Sequence, residues 1–252
     1  VNQGEPIAET PARPIFLRAR WHWLAMLNYE VDPSVLAVRL PEGTELDAFE
    51  GRHYVSMVGF RFLQTRVKGL AIPFHQDFDE VNLRFYVRRK GPEGWRRGVV
   101  FVKELVPRRA VALIARWVYG ENYRAVPMRH EIESPVGTGA GRVSYEWQHA
   151  GAWHGLHLQI AGAPAPAPLA SEARFITEHY WGYAGAPGRK TMEYAVEHPC
   201  WRVWHATDAR FACDVGSLYG EAFVESLSAP PTSAFVADGS AVIVRAGTRL
   251  RT

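Results

Sequence analysis

The stretch Asp79-Glu80-Val81-Asn82-Leu83-Arg84-Phe85-Tyr86-Val87-Arg88-Arg89 constrains this chain more than any other. Side chains of a strand point alternately to opposite faces, so Val81, Leu83, Phe85 and Val87 share one face while Glu80, Asn82, Arg84 and Tyr86 share the other. The first face requires a core. The second sets an acid, an amide, a guanidinium and a phenol in a row, either as a solvated surface with cross-strand ion pairs or as the lining of a cavity. A turn at Lys90 to Arg97 and a second strand from Gly98 to Val106 follow. A helix is then expected from Pro107 to Gly120, with Val111, Ile114, Ala115 and Val118 on one stripe and Gly120 as a left-handed cap. The polar cluster Glu121-Asn122-Tyr123-Arg124 comes after it.

Around this centre the pattern is mostly that of strands. Residues 1–14 hold three prolines and no hydrophobic period, which predicts a flexible arm, and a single domain is expected over 15–252. Aromatic-rich Arg20 to Tyr29 suits a strand, and Asp32-Pro33 opens a short helix that Pro41-Glu42-Gly43 stops. Strands are expected at His53 to Phe62, Arg142 to Gln148, Trp153 to Ile160, Thr191 to Val196, Trp201 to Ala206 and Ala209 to Asp214. Ser171 caps a second short helix, a brief helical segment surrounds Ser217 to Val224, and Asp238-Gly239 reads as the turn of a last hairpin. About nine or ten strands against one strong helix, without regular strand-helix alternation, give a mainly antiparallel β class with a few helices (α+β).

Composition excludes several kinds of partner. The net charge is only +3 over 252 residues and the arginines are scattered, so neither nucleic acid nor an anionic membrane surface is expected to bind. No charged head with an apolar run opens the chain, and eighteen apolar residues never occur together, which makes a cytoplasmic location the expectation. Cys200 and Cys213 flank what reads as a hairpin and can either face one another across it or remain two reduced thiols. No CxxC or ordered histidine spacing supports a metal, and neither a phosphate loop nor a dinucleotide glycine fingerprint calls for a cofactor. A nucleophile elbow is also absent, and nothing in the pattern specifies an oligomer.

The succession Arg20-Trp21, Val31-Asp32-Pro33, Leu40-Pro41-Glu42-Gly43-Thr44-Glu45-Leu46-Asp47, Gly51-Arg52-His53-Tyr54-Val55, the strand from Asp79 to Val87 and Tyr119-Gly120-Glu121-Asn122-Tyr123-Arg124-Ala125 resembles the YqjF-like family of unknown function (DUF2071). That family is similar in turn to acetoacetate decarboxylase. The resemblance implies a mostly antiparallel barrel with a funnel-shaped interior pocket. It also implies a test, because the decarboxylase uses a lysine made nucleophilic by an adjacent lysine and an apolar pocket. Matching helix to helix puts Tyr123 and Arg124 where that pair should stand, and neither forms a Schiff base. An acidic residue of the decarboxylase strand matches Glu80.

The candidate site follows from both lines. Arg84 is suited to hold a carboxylate and Glu80 to act as acid or base, with Asn82, Tyr123 and Arg124 completing a ligand site for a small organic acid or carbonyl compound. The alternative is an enzyme acting on a keto acid by acid-base or Schiff-base chemistry. Of the four lysines, Lys68, Lys90 and Lys190 sit in glycine-flanked or charged turns, so a Schiff base would have to use Lys103, between Phe101 and Leu105 on a strand. That amine can equally pair with a carboxylate such as Glu80. Glu178-His179-Tyr180, with Trp181 and Tyr183, reads either as a pocket rim or as a helix end followed by an aromatic corner.

Overall fold

A computed structural model describes residues 13–73, 75–107, 122–185 and 190–250. The arm expected before Ile15 falls on residues 1–12, and nearly all of the helix expected after Pro107 on 108–120, so both lie outside the described residues. In chain order the strands begin with β1 (Ile15–Glu30), β2 (Glu45–Leu46), β3 (Tyr54–Val67), β4 (Leu70–Ala71), β5 (Phe78–Gly91), β6 (Gly94–Val106), β7 (Tyr123–Ala125), β8 (Met128–Glu133) and β9 (Ala140–His149). They continue with β10 (Ala152–Ala161), β11 (Ala165–Pro166), β12 (Trp181–Ala184), β13 (Met192–Glu197), β14 (Arg202–His205), β15 (Asp208–Ala212), β16 (Ser233–Arg245) and β17 (Thr248–Arg249). Among the described residues the α-helices are α1 (Pro33–Ala37), α2 (Glu172–Thr177), α3 (Val215–Tyr219) and α4 (Val224–Ser228), with a 3-10 turn at Glu221–Phe223 between the last two.

Seven strands close into a barrel in the order β16, β1, β3, β5, β6, β12, β13, and β13 returns to β16 through Val196↔Val244 and Glu197↔Ile243. Neighbours are antiparallel except β6 and β12, which run parallel at Trp181↔Gly98 and Gly182↔Val99. The barrel is therefore mixed, and the class remains mainly antiparallel β. A second antiparallel sheet, β8, β9, β10 and β15, lies against the outer wall of the barrel. Val143, Tyr145 and Trp147 of β9 and Leu156, Leu158 and Ile160 of β10 join Val81, Leu83 and Phe85 of β5 in one buried cluster. The apolar face of β5 thus finds its core outside the ring, which leaves its polar row pointing inward.

Close approach fixes this arrangement. A Cβ on Gly59 of β3 would stand 2.6 Å from the Tyr145 ring, so only glycine lets the second sheet come this near. Tyr145 Oη then donates a hydrogen bond to the Trp23 carbonyl at 2.8 Å. The helix caps are as read: Asp32 accepts from the Ser34 amide at 2.8 Å and Ser171 from the Arg174 amide at 3.2 Å. Cys200 and Cys213 are both free thiols. Among the described residues no helix is long and apolar enough to cross a membrane.

One expected hairpin is absent. Asp238-Gly239 does not turn the chain; β16 runs straight through it and pairs with β1 on both sides, Ala237 with Leu24 and Gly239 with His22. Opposite it, Trp23 has a positive φ of 56°, and Gly239 has a φ of 82°, so the ladder is kinked on both strands at this point. Asp238 accepts a hydrogen bond from the Arg202 amide at 3.1 Å instead of closing a turn. At Gly239 an added Cβ would collide with the Trp21 carbonyl. Gly239→Ala is therefore expected to lower stability by on the order of 2 kcal/mol or more in urea or thermal unfolding. Gly51→Ala, at a φ of 78° but in open space, serves as control and should lose only about 1 kcal/mol.

Candidate functional site

Because β5 is covered on both faces, Glu80, Asn82 and Arg84 are withdrawn from bulk water, at 3%, 1% and 9% exposure. They line a cavity of about 160 Å³ inside the barrel. Most of the remaining wall is apolar, with Trp21, Phe60, Phe62, Phe78 and Phe101 among its residues. Strand β7 adds to the ring by pairing in parallel with β6, Tyr123 opposite Glu104, and this brings the Tyr123 phenol to the Glu80 carboxyl. Tyr123 Oη donates to Glu80 Oε2 at 3.2 Å, and Asn82 Nδ2 donates to Glu80 Oε1 at 3.0 Å. Burial pushes Glu80 up to about 7, against the opposing pull of those two hydrogen bonds and of the Arg84 charge.

Arg84 is the unbalanced member of the row. One of its terminal nitrogens, Nη2, donates to the Ile176 carbonyl at 3.4 Å and lies 3.9 Å from the Met26 sulfur. Its guanidinium sits 5.6 Å from the Tyr86 ring centre. Among the described residues no carboxylate stands within 4.0 Å of it, and its Nε has no hydrogen-bond partner. A buried guanidinium with no carboxylate within ion-pair distance costs several kcal/mol of desolvation.

Two of the residues expected here are elsewhere. Strand β6 carries a bulge: Leu83 pairs with Lys103 but Arg84 pairs with Phe101, leaving Val102 as the extra residue. The bulge reverses the alternation, so Phe101 and Glu104 both face the cavity and Lys103 points outward, where Nζ donates to the Leu218 carbonyl in α3. Lys103 is neither an interior amine nor a partner of Glu80. Burial and the nearby Arg124 charge lower its pKa, yet it has no access to the cavity. Arg124 alternates away from Tyr123 and is exposed, so it does not line the cavity either. Lys68, Lys90 and Lys190 are exposed, and none of the four lysines reaches the interior.

Two residues were not singled out as belonging to this interior. Glu104, 1% exposed, was hidden because a bulge leaves no mark in the spacing of side chains. His179 was legible only as one of two readings of the Glu178-His179-Tyr180 corner; it lines the cavity and is buried. Its Nε2 lies 3.3 Å from Asp47 Oδ2, which also accepts from Arg97 Nε at 2.7 Å. Burial drives His179 down to about 4, so the ring is neutral at pH 7, and the contact to Asp47 assigns its proton to Nε2. Burial opposes ionisation of Asp47, but the hydrogen bond with His179 and the Arg97 charge outweigh it and hold the carboxylate near 2. Asp47, His179 and Arg97 thus form one hydrogen-bonded group, of which His179 reaches the cavity.

A family described as an uncharacterized conserved protein, DUF2071, matches residues 18–241 of this chain. The chain belongs to that family. A curated relative, the uncharacterized protein YqjF of Bacillus subtilis, is 27% identical over 184 residues, or 73% of each chain. Among solved structures, the enduracididine biosynthesis enzyme MppR complexed with pyruvate is similar at a TM-score of 0.67 and 16% identity, covering 98% of this chain and 95% of that one. Acetoacetate decarboxylase from Legionella pneumophila is similar at a TM-score of 0.64 and 13% identity, covering 100% and 98%. An acetoacetate decarboxylase-like enzyme from Sphingomonas wittichii gives 0.63 and 15%, covering 99% and 100%. This DUF2071 chain therefore has the acetoacetate decarboxylase-like fold.

The raised Glu80 acid has a consequence for stability. An unfolded glutamate ionises near 4.5, so between there and about 7 the folded protein holds a proton that the unfolded chain has lost. This contribution is complete below about 4.5 and is lost as pH rises through 7. Glu80→Gln removes the carboxyl without removing the side chain's hydrogen-bonding capacity. It is expected to gain stability over the parent at pH 8 by on the order of 2 kcal/mol and to gain little at pH 5, read as the difference in melting temperature at the two values.

Proposed function

We propose that this protein binds a small, partly apolar organic acid or carbonyl compound in the barrel interior. The observation that carries the reading is Arg84, a buried guanidinium in the cavity wall with no carboxylate beside it among the described residues. A ligand carboxylate would supply the missing counter-charge and can meet a guanidinium through two parallel hydrogen bonds. Glu80, held by Asn82 and Tyr123, would face the ligand's carbonyl or hydroxyl oxygen; at neutral pH its protonated fraction donates a hydrogen bond and its ionised fraction accepts one. The apolar remainder of the wall suits a hydrocarbon portion. Similarity to MppR, whose structure carries pyruvate, and to acetoacetate decarboxylase supports an organic acid of this kind.

Titration calorimetry of the full chain with short carboxylic and 2-oxo acids tests this. Arg84→Ala is expected to weaken binding by about a hundredfold, the scale of one desolvated charge-assisted contact. Because ionised Glu80 repels an anion, affinity should fall as pH rises from 6 to 8, and Glu80→Gln should flatten that dependence. Binding that ignores both Arg84→Ala and pH would overturn the proposal.

A second reading, acid-base chemistry on a keto acid, is favoured by Glu80 alone: a carboxyl at about 7 can both take and return a proton near neutrality. Schiff-base chemistry has no such support, since no lysine lines the cavity. Borohydride reduction in the presence of pyruvate or acetoacetate is expected to leave every lysine unlabelled by mass spectrometry. A label lost in Lys103→Ala would restore the covalent reading.

A further inference from the structure

Adjacent strands β1, β3 and β5 change character in the same direction along the barrel interior. On β5 the inward side chains run Phe78, Glu80, Asn82 and Arg84. On β3 they run Phe62, Phe60, Val58 and Ser56, each paired with the β5 residue of the same rank. On β1, Trp21 pairs with Phe62, Met26 with Val58 and Asn28 with Ser56. The interior is therefore laid out in rows, from Trp21, Phe62 and Phe78 at one end to Asn28, Ser56 and Arg84 at the other. Backbone register fixes these rows, so the passage from hydrocarbon to charge is a property of the sheet and not of one side chain.

The two ends are filled differently. At the polar end Ser56 Oγ donates to Asn28 Oδ1 and, having a single proton, accepts from the Tyr86 hydroxyl, both at 2.6 Å. All three residues are buried there. Arg84 leans away from this closed group toward the middle of the barrel. Its Nη2 lies 3.9 Å from the Met26 sulfur, in the row of Val58 and Asn82. At the other end Phe62 and Phe78 stack at 4.6 Å, and Trp21 meets Phe60 and Phe62 edge-on at 5.2 and 5.6 Å. Phe60 is the nearest of these rings to the guanidinium, one row or about 7 Å of strand beyond Val58.

Spacing and volume then narrow the ligand. A two-carbon spacer sets a phenyl ring centre about 5 Å from a carboxyl carbon, which brings the ring of an acid held at Arg84 up to Phe60 and its far edge toward Phe62. Pyruvate, with a single methyl beyond its carbonyl, leaves that level empty. An apolar cavity of about 150 Å³ holds benzene, and this one measures about 160 Å³. A further ring adds edge and face contacts to those already there, and it loses fewer rotamers on confinement than an alkyl chain. We propose that the ligand is an arylalkanoic acid, with its carboxylate on Arg84 and its ring against Phe60, Phe62 and Trp21. This rests on Arg84 being the carboxylate anchor, as argued above, and adds what the rest of the molecule is.

The test titrates 3-phenylpropionate, octanoate and propionate into the full chain at pH 6, where Glu80, in the Phe60 row, is mostly protonated. The phenyl acid is expected to bind about a hundredfold tighter than propionate and about threefold or more tighter than octanoate. Phe62→Leu keeps an apolar wall without its ring; it should weaken the phenyl acid about three- to tenfold and leave propionate unchanged. Phe60→Leu gives the same reading if Phe62→Leu does not fold. Arg84→Ala should weaken all three acids. Propionate or octanoate binding as tightly as the phenyl acid overturns the inference and leaves the Arg84 anchor standing, and so does a phenyl acid indifferent to loss of the ring in a variant whose melting transition is intact. If none of the three binds to folded parent protein, the anchor and the inference fall together.

Discussion

Burial of β5 on both faces is the constraint from which the rest follows. Its apolar side is taken by β9 and β10 of the second sheet, so the polar side has only the barrel interior to occupy. A strand in that position normally reads as continuously hydrophobic. Here alternate residues are acid, amide and arginine, and the barrel accommodates them by keeping its centre open rather than packed. The cavity and the polar row therefore explain each other: neither would be stable without the other.

Much of this was legible in the residues, and for physical reasons. The period of two at Glu80 to Val87 separates the faces of the strand whatever the fold, and the caps at Asp32 and Ser171 are local chemistry that needs no tertiary context. What could not be read was whether the polar face met water or a cavity, because that depends on a second sheet that begins only at Met128. The two misreadings differ in origin: the bulge at Val102 moves Lys103 out and Glu104 in, whereas Asp238-Gly239 is a turn dipeptide that here lies inside one continuous strand. Bulges change direction without changing composition, so periodicity alone places the residues beyond them on the wrong face. Arg124 failed for the plainer reason that it follows Tyr123 and alternates away from it.

The interior also balances its charges unevenly. Asp47 is matched by Arg97 and by the neutral His179, so that group keeps its charges through moderate pH. Glu80 and Arg84 share a strand face yet make no ion pair with each other within 4.0 Å. Two oppositely charged groups kept apart in a low-dielectric space create a strong field between them.

The ladder between β1 and β16 has a further implication for how the chain acquires this interior. Ile15 pairs with Arg245, so the first long strand waits for the last one, and the parallel seam of β6 with β12 joins Gly98 to Trp181. Contacts separated by so much sequence make for slow folding, because loop entropy must be overcome before they are rewarded. During synthesis the hollow does not exist until β16 has been made. The aromatic residues destined to line it are without their enclosure for most of that time, and the newly made chain is correspondingly exposed to misassociation.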